Sequence, residues 1–365
     1  MCLREAERSA DMAKTKKQAA RPRRVARPFA TVDALERKLS EPTAGVIEAM
    51  KDLGGDLLIL GAGGKMGPTL AQMAARACAT ARVDWNVTCV SRKFPPDIQR
   101  RLDRCGVKTI AADLLSPGAL DGLPDAPNVI YMLGRKFGST GAEWETWATN
   151  VFLAGLAANR YKCARIVAFS SGNVYPFEPI GRGSTETTVP EPVGEYAASC
   201  LGRERMFDYY SQHAGTKMLH FRLNYAVELR YGVPYDVGRK VCNDCPVDVT
   251  MGYANMVWQG YANAVALQCF PLASSPPRIL NVTGPETVSI RRMAERFGAL
   301  MGKKPQCVGE EAPTALLSNA AQCHRLFGYP QVSIDMVVEW VAQWIMTGGE
   351  SLDMPTHYET RDGRF

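Results

Sequence analysis

A chain of 365 residues with 46% hydrophobic and 22% charged side chains has room for a large domain plus a subsidiary lobe, which excludes a peptide-sized or disulfide-stapled scaffold. No apolar run reaches the roughly 18 residues of a membrane-spanning helix, and the most apolar C-terminal stretch, Met336 to Met346, is interrupted by Glu339 and Gln343. The net charge of +6 is local: nine of the 43 basic residues but only three of the 37 acidic ones fall in residues 1–30, so the remainder is formally neutral and no specific nucleic-acid partner is expected.

Residues 1–30 read as a disordered basic tail without the apolar segment of a signal peptide. Residues 31–55 read as a helical extension, with one polar helix predicted over Val32 to Leu53. Asp56 to Leu60 form an aliphatic strand that runs directly into Gly61-Ala62-Gly63-Gly64-Lys65-Met66-Gly67, and a helical pattern with Leu70, Met73, Ala74 and Ala77 on one side follows. Strands are then predicted at Asn86 to Val90, up to Ala112-Asp113, at Asn128 to Leu133 and at Arg165 to Ser170, with a helix about Thr146 to Asn159. Strands that are continuously apolar and alternate with helices predict an α/β chain with a Rossmann-type, doubly wound parallel sheet over residues 56–223. From residue 224 to 365 the pattern loosens into a smaller C-terminal substrate-binding lobe, some of whose segments return to the core. Turns are expected about Tyr231 to Tyr235 and Ser274 to Pro277, and helices about Ile290 to Leu300 and Ile334 to Thr347. The 11 cysteines have no framework spacing, which suits reduced thiols in a cytoplasmic protein. Cys242 and Cys245 have C-x-x-C spacing but no second pair or nearby histidine, so no metal is expected.

A pyrophosphate needs close backbone approach and the positive end of a helix, and Gly61, Gly64 and Gly67 at intervals of three, with Lys65 and Met66 between the last two, supply that between strand and helix. The second strand ends Val90-Ser91-Arg92-Lys93, without the carboxylate that usually meets the ribose hydroxyls of NAD. Ser91 and Arg92 suit a 2′-phosphate, so NADP is the expected cofactor and NAD the alternative. Asp113-Leu114 is placed to face the adenine.

The glycine motif, Asp113-Leu114, Asn150 in a mid-chain helix, Ser170-Ser171-Gly172-Asn173-Val174-Tyr175 after a strand, and Tyr196-Ala197-Ala198-Ser199 opening a helix together resemble the extended short-chain dehydrogenase/reductase family, the group of NAD-dependent sugar epimerases and dehydratases. The resemblance runs from about Leu57 to Trp344. It implies hydride transfer at a carbinol carbon of a sugar or nucleotide sugar, with Tyr196 as acid/base, Ser171 holding the substrate oxygen, and Asn150 in a structural or proton-relay position. A small-molecule substrate is the implied partner, a homodimer stays open, and no membrane is involved.

The sequence departs from the family pattern at Cys200, where a lysine one helical turn after the tyrosine would lower its phenol pKa. Without that charge Tyr196 is expected to keep a pKa of about 10, which makes it a usable acid and a poor base. Three explanations stand open: a substitute cation, with Arg135-Lys136 the nearest pair; chemical participation of Cys200; or a regulator that binds NADP without turnover. Arg222 and Arg230 are open as phosphate contacts or ion-pair partners.

Overall fold

A computed structural model describes residues 29–364, so residues 1–28 of the tail expected over residues 1–30 lie outside the described residues. Phe29, placed above in that tail, is part of the fold, its ring edge-on to Trp340 at 5.1 Å between centroids. The helical extension is two helices, α1 (Val32–Leu39) and α2 (Ala44–Lys51), where one was expected. Pro42 interrupts the pattern and Thr43 restarts it, its Oγ1 accepting from Val46 N at 3.2 Å.

Four-residue strands are fully buried at β1 (Leu57–Leu60) and β4 (Asn128–Tyr131), as a sheet covered on both faces requires. With β2 (Val87–Ser91), β3 (Lys108–Ala111), β5 (Arg165–Ser171), β6 (Met218–Leu223) and β7 (Arg278–Val282) they form a seven-stranded sheet in the order β7-β6-β5-β4-β1-β2-β3. Every pairing in it is parallel. Strand order reverses between β1 and β4, and in such sheets ligands bind in the crevice at the carboxyl ends of the strands flanking that switch. β7, which follows residue 224 by more than 50 positions, is the segment of the later chain that returns to the sheet.

Helix α3 (Gly67–Ala81) packs on one face with α2 and α9 (Gln259–Gln268), while α6 (Leu153–Arg160) and α7 (Gly194–Ala214) cover the other; α4 (Pro96–Asp103), α5 (Glu143–Trp147) and α11 (Ala321–Phe327) are shorter connecting helices. A second core gathers α1, α8 (Val233–Cys242), α10 (Ile290–Met301) and α12 (Ile334–Met346) around Val237, Phe297 and Val341. The turn expected about Tyr231 to Tyr235 falls earlier, at Leu229-Arg230, closed by the bridge between Glu228 and Tyr231; Val233 already begins α8, with Pro234 in its first turn. Among the described residues no helix is long and apolar enough to cross a membrane.

Candidate active site

The glycine loop is built by contact. Gly61 has φ +90°, and a Cβ there would lie 2.7 Å from Leu133 N; at Gly67 a Cβ would lie 2.3 Å from Ala62 O. Any side chain at either position would push the loop off the β4 exit or lift α3 away from the loop. No side chain caps α3, so its first N–H groups are left to an anion. Beside the loop opens a cavity of about 620 Å³, lined among others by Gly61, Gly64, Ser91, Arg92, Asp113 and Leu114. Arg92 is exposed at its rim and makes no hydrogen bond or ion pair among the described residues. Met66 is buried behind the loop, and Lys65 reaches across to the second lobe, donating to Ala226 O at 2.6 Å. These residues fit a dinucleotide: the cavity has its backbone cradle, and Arg92 has charge to spare.

The second part of the site is assembled from β5 and α7. Ser171, the last residue of β5, donates to Asn173 Oδ1 at 3.0 Å and accepts from Asn173 N at 3.1 Å. Tyr196, in the first turn of α7, has the side chains of Ser171 and Cys200 beside its hydroxyl. Cys200 is wholly buried against Val174 and Tyr175, and burial pushes its thiol pKa up, which leaves it neutral. Burial, reinforced by Cys200, also pushes the Tyr196 phenol well above the ordinary tyrosine value. The expectation that it stays near about 10 is therefore too low, because it counted the lost lysine and not the desolvation.

Two cations approach Tyr196. Lys136 places Nζ 5.9 Å from the Tyr196 ring centroid and donates to Thr356 O at 3.0 Å. Burial lowers its pKa to about 8, opposed by the neighbouring Cys200, Asp236 and Glu359. Its neighbour Arg135 turns away to Glu145 and Gly138 O. The second cation, Arg203, was not foreseen. It donates to Phe169 O at 2.9 Å and to Asn150 O at 3.3 Å, leaves Nη2 buried without a partner, and its charge draws the phenol back down against burial. Its spacing of seven from Tyr196, two turns along one helix face, is the signal that sequence reading passed over.

Asn150 is a brace. Its Oδ1 accepts from Arg135 N at 2.7 Å, and its Nδ2 donates to Arg135 O at 3.0 Å and Ser199 Oγ at 2.8 Å. The β4 exit is thereby tied to α7. Arg222 and Arg230, open above as phosphate contacts, are ion-paired in the interior, Arg222 with Glu204 at 2.6 Å and Arg230 with Glu36 at 2.6 Å and Glu228 at 3.1 Å.

A C-terminal strap, residues 350–364, crosses this site. Thr356 donates to Asp236 Oδ2 through N at 2.8 Å and Oγ1 at 2.5 Å, and the Tyr358 hydroxyl donates to Asp248 O at 3.0 Å. Between the strap and Asn173, Tyr175, Tyr225 and Leu316 only about 20 Å³ of cavity remains.

The sequence profile of the NAD dependent epimerase/dehydratase family matches residues 57–227. No curated protein sequence matches this one significantly. Among solved structures, a UDP-glucuronic acid 4-epimerase from Bacillus cereus in complex with UDP-glucuronic acid and NAD is similar with TM-score 0.67 and 16% identity, over 80% of this chain and 99% of that one. UDP-glucose 4-epimerase from Thermus thermophilus with NAD gives 0.66 and 16% over 80% and 99%, and dTDP-glucose 4,6-dehydratase from Bacillus anthracis with NAD gives 0.67 and 12% over 81% and 97%. At such identities the structures establish a shared fold.

Proposed function

We propose, from the premise that residues 57–227 form a domain of the NAD dependent epimerase/dehydratase family, that the chain is an NAD(P)-dependent oxidoreductase or epimerase acting at a carbinol carbon of a sugar or nucleotide sugar. The observation that carries this is the approach of Tyr196, at the start of α7, to Ser171, at the end of β5, in a fold that also holds a dinucleotide-sized cavity at its glycine loop. NADP is the proposed cofactor on the strength of the unpaired Arg92, with NAD, which the solved relatives hold, as the alternative.

When bound, the nicotinamide supplies the acceptor and donor of the hydride. Ser171 holds the substrate oxygen by hydrogen bond, and the Tyr196 hydroxyl gives a proton to that oxygen in reduction and takes it back in oxidation. Because burial keeps the phenol protonated, oxidation is the harder direction at neutral pH. Lys136 and Arg203 supply the positive charge that Cys200 lacks, Arg203 from within α7 and Lys136 from the β4 exit. Cys200 itself, buried and neutral, fits packing better than chemistry. The alternative of a regulator without turnover gains no support from the family or from the solved relatives, which are enzymes by their descriptions.

The test is turnover of UDP-glucose, UDP-glucuronic acid and dTDP-glucose with NADP or NAD, followed by product analysis and reduced-nicotinamide absorbance. Tyr196→Phe is expected to remove at least 100-fold of any activity found, the usual scale of a lost general acid/base. Full turnover by that variant would remove Tyr196 from the chemistry. A further variant, Lys136→Met, is expected to slow oxidation more than reduction.

A further inference from the structure

Arg203 is only 5% exposed, and its guanidinium makes no salt bridge among the described residues. Nη1 donates to Phe169 O at 2.9 Å, Nε donates to Asn150 O at 3.3 Å, and Nη2 has no partner. Both acceptors are neutral carbonyls. Glu204, the next residue, is already taken: Arg222 Nε and Ser170 Oγ donate to one of its oxygens at 2.9 and 2.5 Å, and Arg222 Nη2 to the other at 2.6 Å. A guanidinium this deep is ordinarily matched by a carboxylate, because an unpaired interior charge is costly. Arg203 has no such match.

The same contacts fix where the charge lies. Side chains on a helix lean toward its N-terminus, so Arg203, seven residues after Tyr196, carries its guanidinium back to the turn of Ser199 and Cys200; Asn150, whose O it reaches, donates from Nδ2 to Ser199 Oγ at 2.8 Å. Phe169 lies two residues before Ser171 on β5. Nη2 stands against Gly134, where a Cβ would fall 2.9 Å from it, and Gly134 is part of the wall of the cavity beside the glycine loop. The unpaired charge therefore sits behind that wall, at the junction of the cavity with Ser171 and Tyr196.

We propose that the Arg203 charge commits the site to the reduced dinucleotide, so that the chain works as a carbonyl reductase and not as an epimerase. The inference rests on the dinucleotide reading of the glycine loop and goes beyond it by naming the direction. Hydride and proton go to one carbonyl group, so the nicotinamide has to lie against the carbon whose oxygen Tyr196 serves, within the field of Arg203. The oxidised ring carries a positive charge and the reduced ring none. A fixed cation nearby in a partly buried site disfavours the oxidised form by about tenfold or more at an effective dielectric of about 20. In the reaction, the substrate's carbonyl carbon accepts the hydride as its C=O bond becomes single, its oxygen takes the Tyr196 proton, the reduced dinucleotide is the reductant and leaves oxidised, and water restores the phenol. An epimerase has to begin with the oxidised form and oxidise its substrate first, which Arg203 and a phenol held protonated by burial both oppose.

The experiment is calorimetric titration of the full chain at pH 9 with NADPH, NADP, NADH and NAD, which needs no turnover. At that pH Lys136, which burial lowers to about 8, has lost most of its charge, while a guanidinium keeps its own. The parent protein is expected to bind the reduced member of the pair it accepts at least tenfold more tightly than the oxidised one, a ratio that needs no variant to be read. Arg203→Gln, neutral but still able to donate to Phe169 O, is expected to bring the ratio to within about threefold of unity, and Arg203→Lys to keep the preference. Lys136→Met should leave the ratio unchanged at this pH. A bracing role alone would make Arg203→Gln weaken both forms alike and leave the ratio in place. Equal affinity for the two forms in the parent, or a preference that survives in Arg203→Gln, overturns the proposal and leaves the cofactor reading intact; so does interconversion of UDP-glucose and its 4-epimer without net use of a dinucleotide. If no dinucleotide binds, the cofactor reading itself falls and this inference with it.

Discussion

Arg92 follows β2 at the rim of the cavity beside the glycine loop with its guanidinium unspent, and a free charge at a cavity rim is one a ligand can use. Arg92→Ala should weaken NADP by about 10- to 150-fold, the equivalent of about 1.5 to 3 kcal/mol for a charge-assisted hydrogen bond, and should leave NAD nearly unchanged; titration of both dinucleotides against both proteins decides it. Equal losses for the two would place Arg92 on a part they share. The residues that carry this argument were readable in the sequence because they are local: the glycines, Ser91 and Arg92 act through their own backbone or at a strand end. Cys200 was readable for the same reason, as a departure four residues from Tyr196. What the departure does to Tyr196 was not readable. The desolvation that raises the phenol comes from packing by Val174 and Tyr175, and the compensating charge of Arg203 depends on which side of a 21-residue helix meets the sheet.

At the scale of elements, the brace by Asn150 depends on an irregularity. Residues Ala148–Phe152 are a π-helical turn between the short helix Glu143–Trp147 and α6, the kind of wide turn that redirects side chains at functional sites. Here it points a buried amide at both backbone groups of Arg135, one residue before Lys136. Asn150→Ala should strand those groups, lower stability by about 1 to 3 kcal/mol, and release the β4 exit; thermal unfolding reads the first effect and faster amide exchange over residues 134–141 the second. Unchanged exchange there would mean that the loop is held by Ser139 Oγ, which donates to Lys136 O at 2.5 Å, and not by Asn150. The strand–glycine–helix succession and the buried strands β1, β2 and β4 were legible, since burial on both faces writes a largely apolar run into the sequence; β3, at the sheet edge and partly exposed, carries no such run. The π-turn was not, because one continuous helical pattern over Thr146 to Asn159 carries no mark of where the hydrogen-bond register slips. The break between α1 and α2 was marked, by Pro42-Thr43, and periodicity alone overran it.

Across the whole molecule, the strap ties α8 to the β4 exit and to the start of α7. It contains no periodic pattern, and its partners lie on α8, on the β4 exit and at the start of α7, so nothing in its own sequence announces where it goes. Its last anchor is steric: Gly363 and Gly194, at φ +73° and +82°, are packed backbone to backbone, and a Cβ on Gly363 would fall 2.3 Å from Val193 O. Both the left-handed conformation and the contact oppose any side chain there. Gly363→Ala is expected to lift the end of the strap from the helix that carries Tyr196, two residues beyond Gly194, while Thr356 and Tyr358 keep its first half bound to Asp236 and Asp248. Stability should fall by no more than about 1 to 3 kcal/mol, the scale of a local strain, and amide exchange should quicken over residues 360–364 but not over 354–358. The consequence for the site is specific. The cavity of about 20 Å³ that Gly363 and Thr360 help to close is too small for a sugar ring, so if a nucleotide sugar reaches Ser171 from this side, the strap end has to move. Gly363→Ala should then lower KM for such a substrate or raise its association rate, with kcat affected less. A variant whose strap exchanges faster but whose KM and association rate match the parent would show that substrate enters by another side of the site.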